Sequence, residues 1–182
     1  CINEFAAKRF GDRHPYATAH VAQGDVNTTL LRTEQGVIVA LHFDTSTPHP
    51  QTGEFRLQGT HGIYAGNSRQ VYIEGRSPKP DQWQPIADYS QEYRHPLWKG
   101  RTPEQYKSAR GHGGADGTPL MWERLIAALR AGRRPDIDTY DSVTWSAISP
   151  LTERSVAQKS RPVDFPDFTR GKYKNAPPIR FV

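Results

Sequence analysis

Gly111-His112-Gly113-Gly114-Ala115-Asp116, followed by the run from Thr118 to Ala131, is the stretch from which the fold is read. Thr118 suits an N-cap and Pro119 the first helical position, where a missing N–H costs nothing. Trp122, Leu125, Ile126 and Leu129 then recur at i, i+3, i+4 and i+7, an apolar stripe that predicts a helix over 118–131. Gly132 stands where a left-handed C′ residue is wanted, Arg130 favours the last turn, and Pro135 blocks continuation. Just before this helix, His112 and Asp116 sit among glycines that let backbone approach a ligand closely. Two readings stay open for His112: a packed turn residue, or a pocket residue delivered by the helix.

Upstream the pattern changes from helical to strand-like. Val26 to Thr33 and Val37 to Thr45 make a hairpin around Gly36, with Val37, Val39, Leu41 and Phe43 on one face. Phe55 to Gln58, Ile63 to Tyr64 and Gln70 to Glu74 follow with short connections. Such spacing predicts an antiparallel meander, since parallel strands need crossover helices. Residues 1–24 and Arg76 to Lys99 read as irregular, and Pro103 to Arg110 as a short helix. A further helix is expected from Asp138 to about Gln158, with Tyr140, Val143, Ala147 and Leu151 as its buried stripe and Pro150 kinking or dividing it. From residue 160 to 182 repeated prolines predict an extended tail. The fold class is α+β: an open, mostly antiparallel sheet with flanking helices in one domain spanning residues 1–182.

The chain has 182 residues, enough for one domain with a core, but only 35% of them are hydrophobic, and 15 Gly and 15 Pro imply many loops. Four Trp, eight Tyr and seven Phe argue against disorder, so a folded domain partly covered by something else is expected. The one cysteine, Cys1, excludes an internal disulfide. No run has the length of a membrane helix, so no membrane partner is expected. The net charge is +5, with basic residues spread among acids except for Arg170, Lys172, Lys174 and Arg180. That distribution reads as a solvated basic tail rather than a nucleic-acid surface. The chain begins without Met at Cys1-Ile2-Asn3, which reads as a fragment or a processed piece.

Several chemistries are excluded by pattern. Neither G-x-G-x-x-G nor a Walker A loop occurs, H-E-x-x-H and C-x-x-C zinc spacings are absent, and there is no G-x-S-x-G elbow. What remains is a pair of constellations. His112 and Asp116 form one. The other is Tyr93-Arg94-His95-Pro96-Leu97-Trp98-Lys99, where aromatic faces and hydrogen-bond donors alternate as they do around sugar rings, or where Trp98 pins a loop to the core.

A long ordered set of motifs supports a more specific reading. It comprises His95-Pro96-Leu97-Trp98-Lys99, Gly111-His112-Gly113-Gly114, Arg124-Leu125-Ile126, Asp138-x-Tyr140-Asp141, Trp145-Ser146-Ala147-Ile148-Ser149-Pro150-Leu151 and Pro162-Val163-Asp164-Phe165-Pro166-Asp167-Phe168-Thr169-Arg170-Gly171. Together they resemble the C-terminal domain of the Gfo/Idh/MocA oxidoreductase superfamily, in its glycoside hydrolase family 109 branch. The resemblance implies an N-terminal Rossmann domain, absent from this chain, that binds NAD, while this part supplies carbohydrate contacts and a homo-oligomer interface. It further implies an α-N-acetylgalactosaminidase-like reaction by transient oxidation, elimination and hydration, with the active-site histidine expected before Cys1 and no catalytic residue within this chain. His112, Asp116, Arg94, His95 and Trp98 are then the substrate-binding candidates, with no metal and no cofactor ligand here. Two alternatives stand beside it: the same domain of an NAD(P)-dependent sugar or polyol dehydrogenase, and a non-catalytic sugar-binding or assembly module.

Overall fold

In the computed structural model, the hairpin is the clearest product of local sequence. Strand β1 (Val26–Arg32) pairs antiparallel with β2 (Ile38–Asp44), Val26 facing Asp44 and Arg32 facing Ile38. Gly36 takes the turn at φ +84°, a left-handed conformation that side chains resist. Asp44 closes the second strand as an Asx turn, accepting from the amides of Ser46 and Thr47 at 3.1 and 3.0 Å.

The structure describes residues 2–44, 46–47, 49–50, 55–98, 100 and 118–176. They fall into two units, one built from Cys1–Pro48 and Ile137–Pro178, the other from His49–Asp136 and Ile179–Val182. The expected short helix at Pro103 to Arg110, together with His112 and Asp116, lies outside the described residues.

The first unit begins with a segment expected to be irregular, and here the expectation fails. Helix α1 (Ile2–Phe10) and the short α2 (Pro15–Thr18) occupy it. Glu4 and Lys8 pair across one turn, and Gly11 at φ +90° ends α1 with its N–H on the Ala7 carbonyl. Asn3 Nδ2 then ties the two helices by donating to the carbonyls of Tyr16 and Ala19 at 2.9 and 2.8 Å. Ala6 is the residue this helix buries.

Downstream, the expected helix from Asp138 is divided into α5 (Thr139–Ser146) and α6 (Ile148–Ala157). Asp138 caps α5 in a reciprocal box with Asp141, each side chain accepting from the other's backbone N–H. The break falls at Ala147, which places Pro150 in the first turn of α6, where its missing N–H would have had no intrahelical acceptor. The anticipated stripe is only partly covered: Tyr140 and Val143 are exposed, and Thr152 is the buried residue, because its hydroxyl meets Thr29 on β1 at 3.0 Å. The tail to residue 176 is irregular apart from a 3₁₀ turn at Lys172–Asn175. Asp167 organises the approach to that turn, accepting from Thr169 N and Oγ1 and from Gly171 N. These contacts hold its carboxyl below the usual range, the Thr169 hydroxyl foremost.

The second unit holds a four-stranded antiparallel sheet in chain order: β3 (Arg56–Gly59), β4 (Gly62–Ala65), β5 (Gln70–Ile73) and β6 (Gln84–Pro85). The strands therefore form two small antiparallel sheets rather than one meander, because β2 ends in the Asp44 turn instead of pairing onward. Gly62 is needed at its place: a Cβ there would lie 2.5 Å from the Tyr72 carbonyl oxygen across the ladder. Val71 is the buried residue of this sheet.

After β6 the stretch expected to be irregular is a chain of short turns: a 3₁₀ turn at Ile86–Tyr89, helix α3 (Ser90–Tyr93) and a second 3₁₀ turn at Pro96–Trp98. The helix expected over 118–131 is α4 (Thr118–Arg130), and it ends as read. Gly132, at φ +62°, donates to Leu129 while Arg133 donates to Ala128, a Schellman pair. Its buried line is not the expected one. Leu120 and Ala128 are covered, with Trp122, Ile126 and Leu129 exposed, because Arg124 between them is held by Asp136, bidentate with one bond at 2.9 Å.

Candidate functional site

Three candidates from the sequence, Arg94, His95 and Trp98, come together around one depression of about 310 Å³ in the second unit. Its floor follows from local sequence. Ile86, Tyr89 and Tyr93 recur at helical spacing through the 3₁₀ turn and α3, so their side chains gather on one side. Tyr89 is buried, its hydroxyl 3.4 Å from Ser77 Oγ, which itself accepts from the Ile73 amide. Its ring lies 6.3 Å from that of Tyr93, within aromatic-pair range. Helix α3 stops at Tyr93, where Arg94 is extended at φ −63° and ψ 120°, and Pro96 disfavours helical backbone at His95 after it.

The polar groups are fixed with equal economy. The Trp98 amide donates to the His95 carbonyl at 2.9 Å, closing the second 3₁₀ turn. His95 Nδ1 accepts from the Leu97 amide at 3.2 Å, so in the neutral ring Nε2 carries the proton and is a donor. Arg76 pairs with Glu92 and lies 6.0 Å from the Tyr93 ring, and the Glu92 contact raises the Arg76 pKa further. Glu92 is thereby committed to a partner outside the depression. Among the described residues no carboxylate lines the depression and none pairs with Arg94.

Sequence reasoning named the rim of this site and missed its floor. Tyr89 and Ile86 fall in a stretch expected to be irregular, although the spacing of residues 86, 89 and 93 is a usable helical signal. His112 and Asp116 fall outside the described residues. His61 sits between β3 and β4, 3.7 Å from Glu74 and largely exposed. A second depression, of about 350 Å³ along α5, is lined by Thr139, Ser142, Val143, Ser146 and Ala147 and carries no charged group. Among the described residues no set of His, Cys, Asp and Glu could hold a metal ion, and no helix is long and apolar enough to cross a membrane.

The arrangement can hold a ligand by stacking on Tyr93 and Trp98 while Arg94 and His95 donate hydrogen bonds. Among the described residues it has no paired acid and base for bond cleavage. Residues 1–175 match the family described as Glycosyl hydrolase 109, C-terminal domain. A glycosyl hydrolase family 109 protein of Stenotrophomonas maltophilia is 43% identical over 95% of this chain and 37% of its own length. The alpha-N-acetylgalactosaminidase of Tannerella forsythia is 38% identical over 97% of the chain and 37% of its own. A family 109 protein of Parabacteroides distasonis is 36% identical, with the same coverage of 97% and 37%. The chain thus spans little more than a third of the length of the curated relatives it matches.

Proposed function

The chain belongs to the family of glycosyl hydrolase 109 C-terminal domains, and from that premise we propose that it is the substrate-binding and oligomerisation part of an NAD-dependent, glycosidase-like enzyme acting on sugars. One observation carries the proposal: a match over residues 1–175 to a family whose relatives include a named alpha-N-acetylgalactosaminidase. The depression at Arg94, His95 and Trp98 supports it, since aromatic faces beside donors are the chemistry of sugar recognition.

The dinucleotide does not fit the residues present. No glycine-rich phosphate loop occurs in the sequence, and the donors at the depression surround an aromatic floor rather than a helix N-terminus. NAD, if held by a Rossmann domain of the parent protein, would supply the redox chemistry. This chain's own share is positioning. Trp98 and Tyr93 cover the apolar face of a sugar ring, while Arg94 and the Nε2–H of His95 donate to its oxygens. His112 and Asp116 belong to the same proposed contact set.

The test is steady-state turnover of an aryl α-N-acetylgalactosaminide by the full-length enzyme and its W98A variant. Loss of one stacking face raises KM about tenfold with kcat within about twofold. Net NADH accumulation with a free sugar, and no release of the aryl group, would instead make the parent enzyme a sugar or polyol dehydrogenase. Binding of sugar with neither reaction would leave an assembly or binding module.

A further inference from the structure

The depression has an asymmetry that sugar binding alone does not require. Besides the tyrosine hydroxyls and the Trp98 indole, its polar groups are a guanidinium and an imidazole N–H, with the hydroxyl of Ser90 and the amide of Gln91 beside them. Ser90 spends its proton on the Ala87 carbonyl at 2.9 Å. The nearest acid on the same helix, Glu92, is drawn to Arg76 and does not neutralise Arg94. A neutral sugar hydroxyl is served as well by an amide or a carboxylate. A guanidinium with no carboxylate partner among the described residues, beside an imidazole donor and aromatic rings, is matched by an anionic group attached to a ring that stacks.

We infer that the Arg94–His95–Trp98 depression selects carbohydrate that carries a negatively charged substituent, a carboxylate or a sulfate ester, over the same sugar without it. This rests on the carbohydrate reading of the site given above and adds the charge. The anionic group meets the Arg94 fork, the His95 Nε2–H donates a second hydrogen bond, and the ring lies against Trp98 and Tyr93. Because Arg94 is exposed, the preference is modest and salt-sensitive, about fivefold at low ionic strength and falling as exposed charges are screened.

Isothermal titration of the full-length protein tests this with a methyl N-acetylgalactosaminide, its 6-sulfated counterpart and inorganic sulfate, repeated on R94Q, R94K and W98A. The sulfated sugar should bind about fivefold tighter than the neutral one, with R94Q removing the difference because it weakens the sulfated sugar more than the neutral one. R94K should restore part of the preference as a point charge without the fork. Equal affinities for the two sugars, changed equally by R94Q and weakened by W98A, would overturn the charge preference and leave the carbohydrate reading intact. Binding of inorganic sulfate as tight as the sulfated sugar, insensitive to W98A, would overturn it in favour of a bare anion site. No binding of either sugar would overturn both readings.

Discussion

Thr152 donates its hydroxyl to Thr29 across 3.0 Å, and the direction is fixed because Thr29 spends its own proton on Asn27 Oδ1 at 2.8 Å. This relay joins α6 to β1 through residues far apart in sequence and explains why Thr152 is the buried residue of α6. Its order makes the two threonines unequal. T152V removes a donor and leaves Thr29 satisfied, costing about 1 kcal/mol and lowering Tm by about 2–4 °C. T29V strands the buried Thr152 hydroxyl and the Asn27 oxygen together, costing about 2 kcal/mol. Thermal unfolding of both variants checks the ranking; a T29V loss no greater than that of T152V would refute the relay.

Asp136 sets the acid limit of the second unit. The Arg124 hydrogen bonds lower its pKa below the ordinary carboxylate value, against a smaller opposing effect of burial. A depressed folded-state pKa means that the stabilisation is fully present above the unfolded value, about 3.9, and is lost as pH falls through the folded one. D136N should therefore lower stability by about 1–2 kcal/mol at pH 7, with the gap to the parent protein closing below about pH 4. Urea unfolding at pH 7 and at about pH 3 measures it, and a gap that widened in acid would contradict the assignment.

Gly62 has no room for a methyl group, since the intruding atom would meet backbone rather than a movable side chain. G62A should cost about 1–3 kcal/mol, as overpacking does, and should loosen the β4–β5 pairing first. Amide exchange at Tyr72 and Ile73 would report the loosening; unchanged protection there would count against the close approach.

One substitution should stabilise. Helix α6 ends like α4, with Lys159 donating to Val156 and Ser160 to Ser155, but Lys159, at φ +59° like Ser160 after it, stands where α4 has glycine. K159G relieves that conformation and should raise stability by about 1 kcal/mol. A lower Tm would show that the lysine side chain contributes more than its backbone costs.

How legible the molecule was depends on whether a feature is set by neighbours in sequence. The hairpin, the C-terminal end of α4 and the division near Pro150 follow from turn glycines and proline, and each lies where its residues put it. Helix α1 was missed although Glu4, Lys8 and Gly11 spelled it, because its short apolar pattern around Phe5, Ala6 and Phe10 is weak. The buried face of α4 was not available from periodicity. The Arg124–Asp136 pair, formed across a loop, covers a line that the stripe of Trp122, Ile126 and Leu129 does not mark. At the site, Arg94, His95 and Trp98 were visible as a cluster by their chemistry. Tyr89 and the commitment of Glu92 to Arg76 needed three dimensions.

The two units are nested in sequence: His49–Asp136 lies between the halves of the other, with Asp136 bound back to Arg124 before the boundary and Asp138 capping α5 after it. Chains emerge from the ribosome N-terminus first, and a lone two-stranded hairpin is marginal in water. The inserted unit can therefore complete its sheet while β1 and β2 still await Thr152. Among the described residues the uncharged run from Val37 to Phe43 keeps its outer edge unpaired even in the fold, the kind of edge that recruits other chains, and before Thr152 is made its hairpin also lacks the α6 contact. A pause in synthesis between residues 136 and 152 therefore leaves this hairpin without its helix while the inserted unit is already complete.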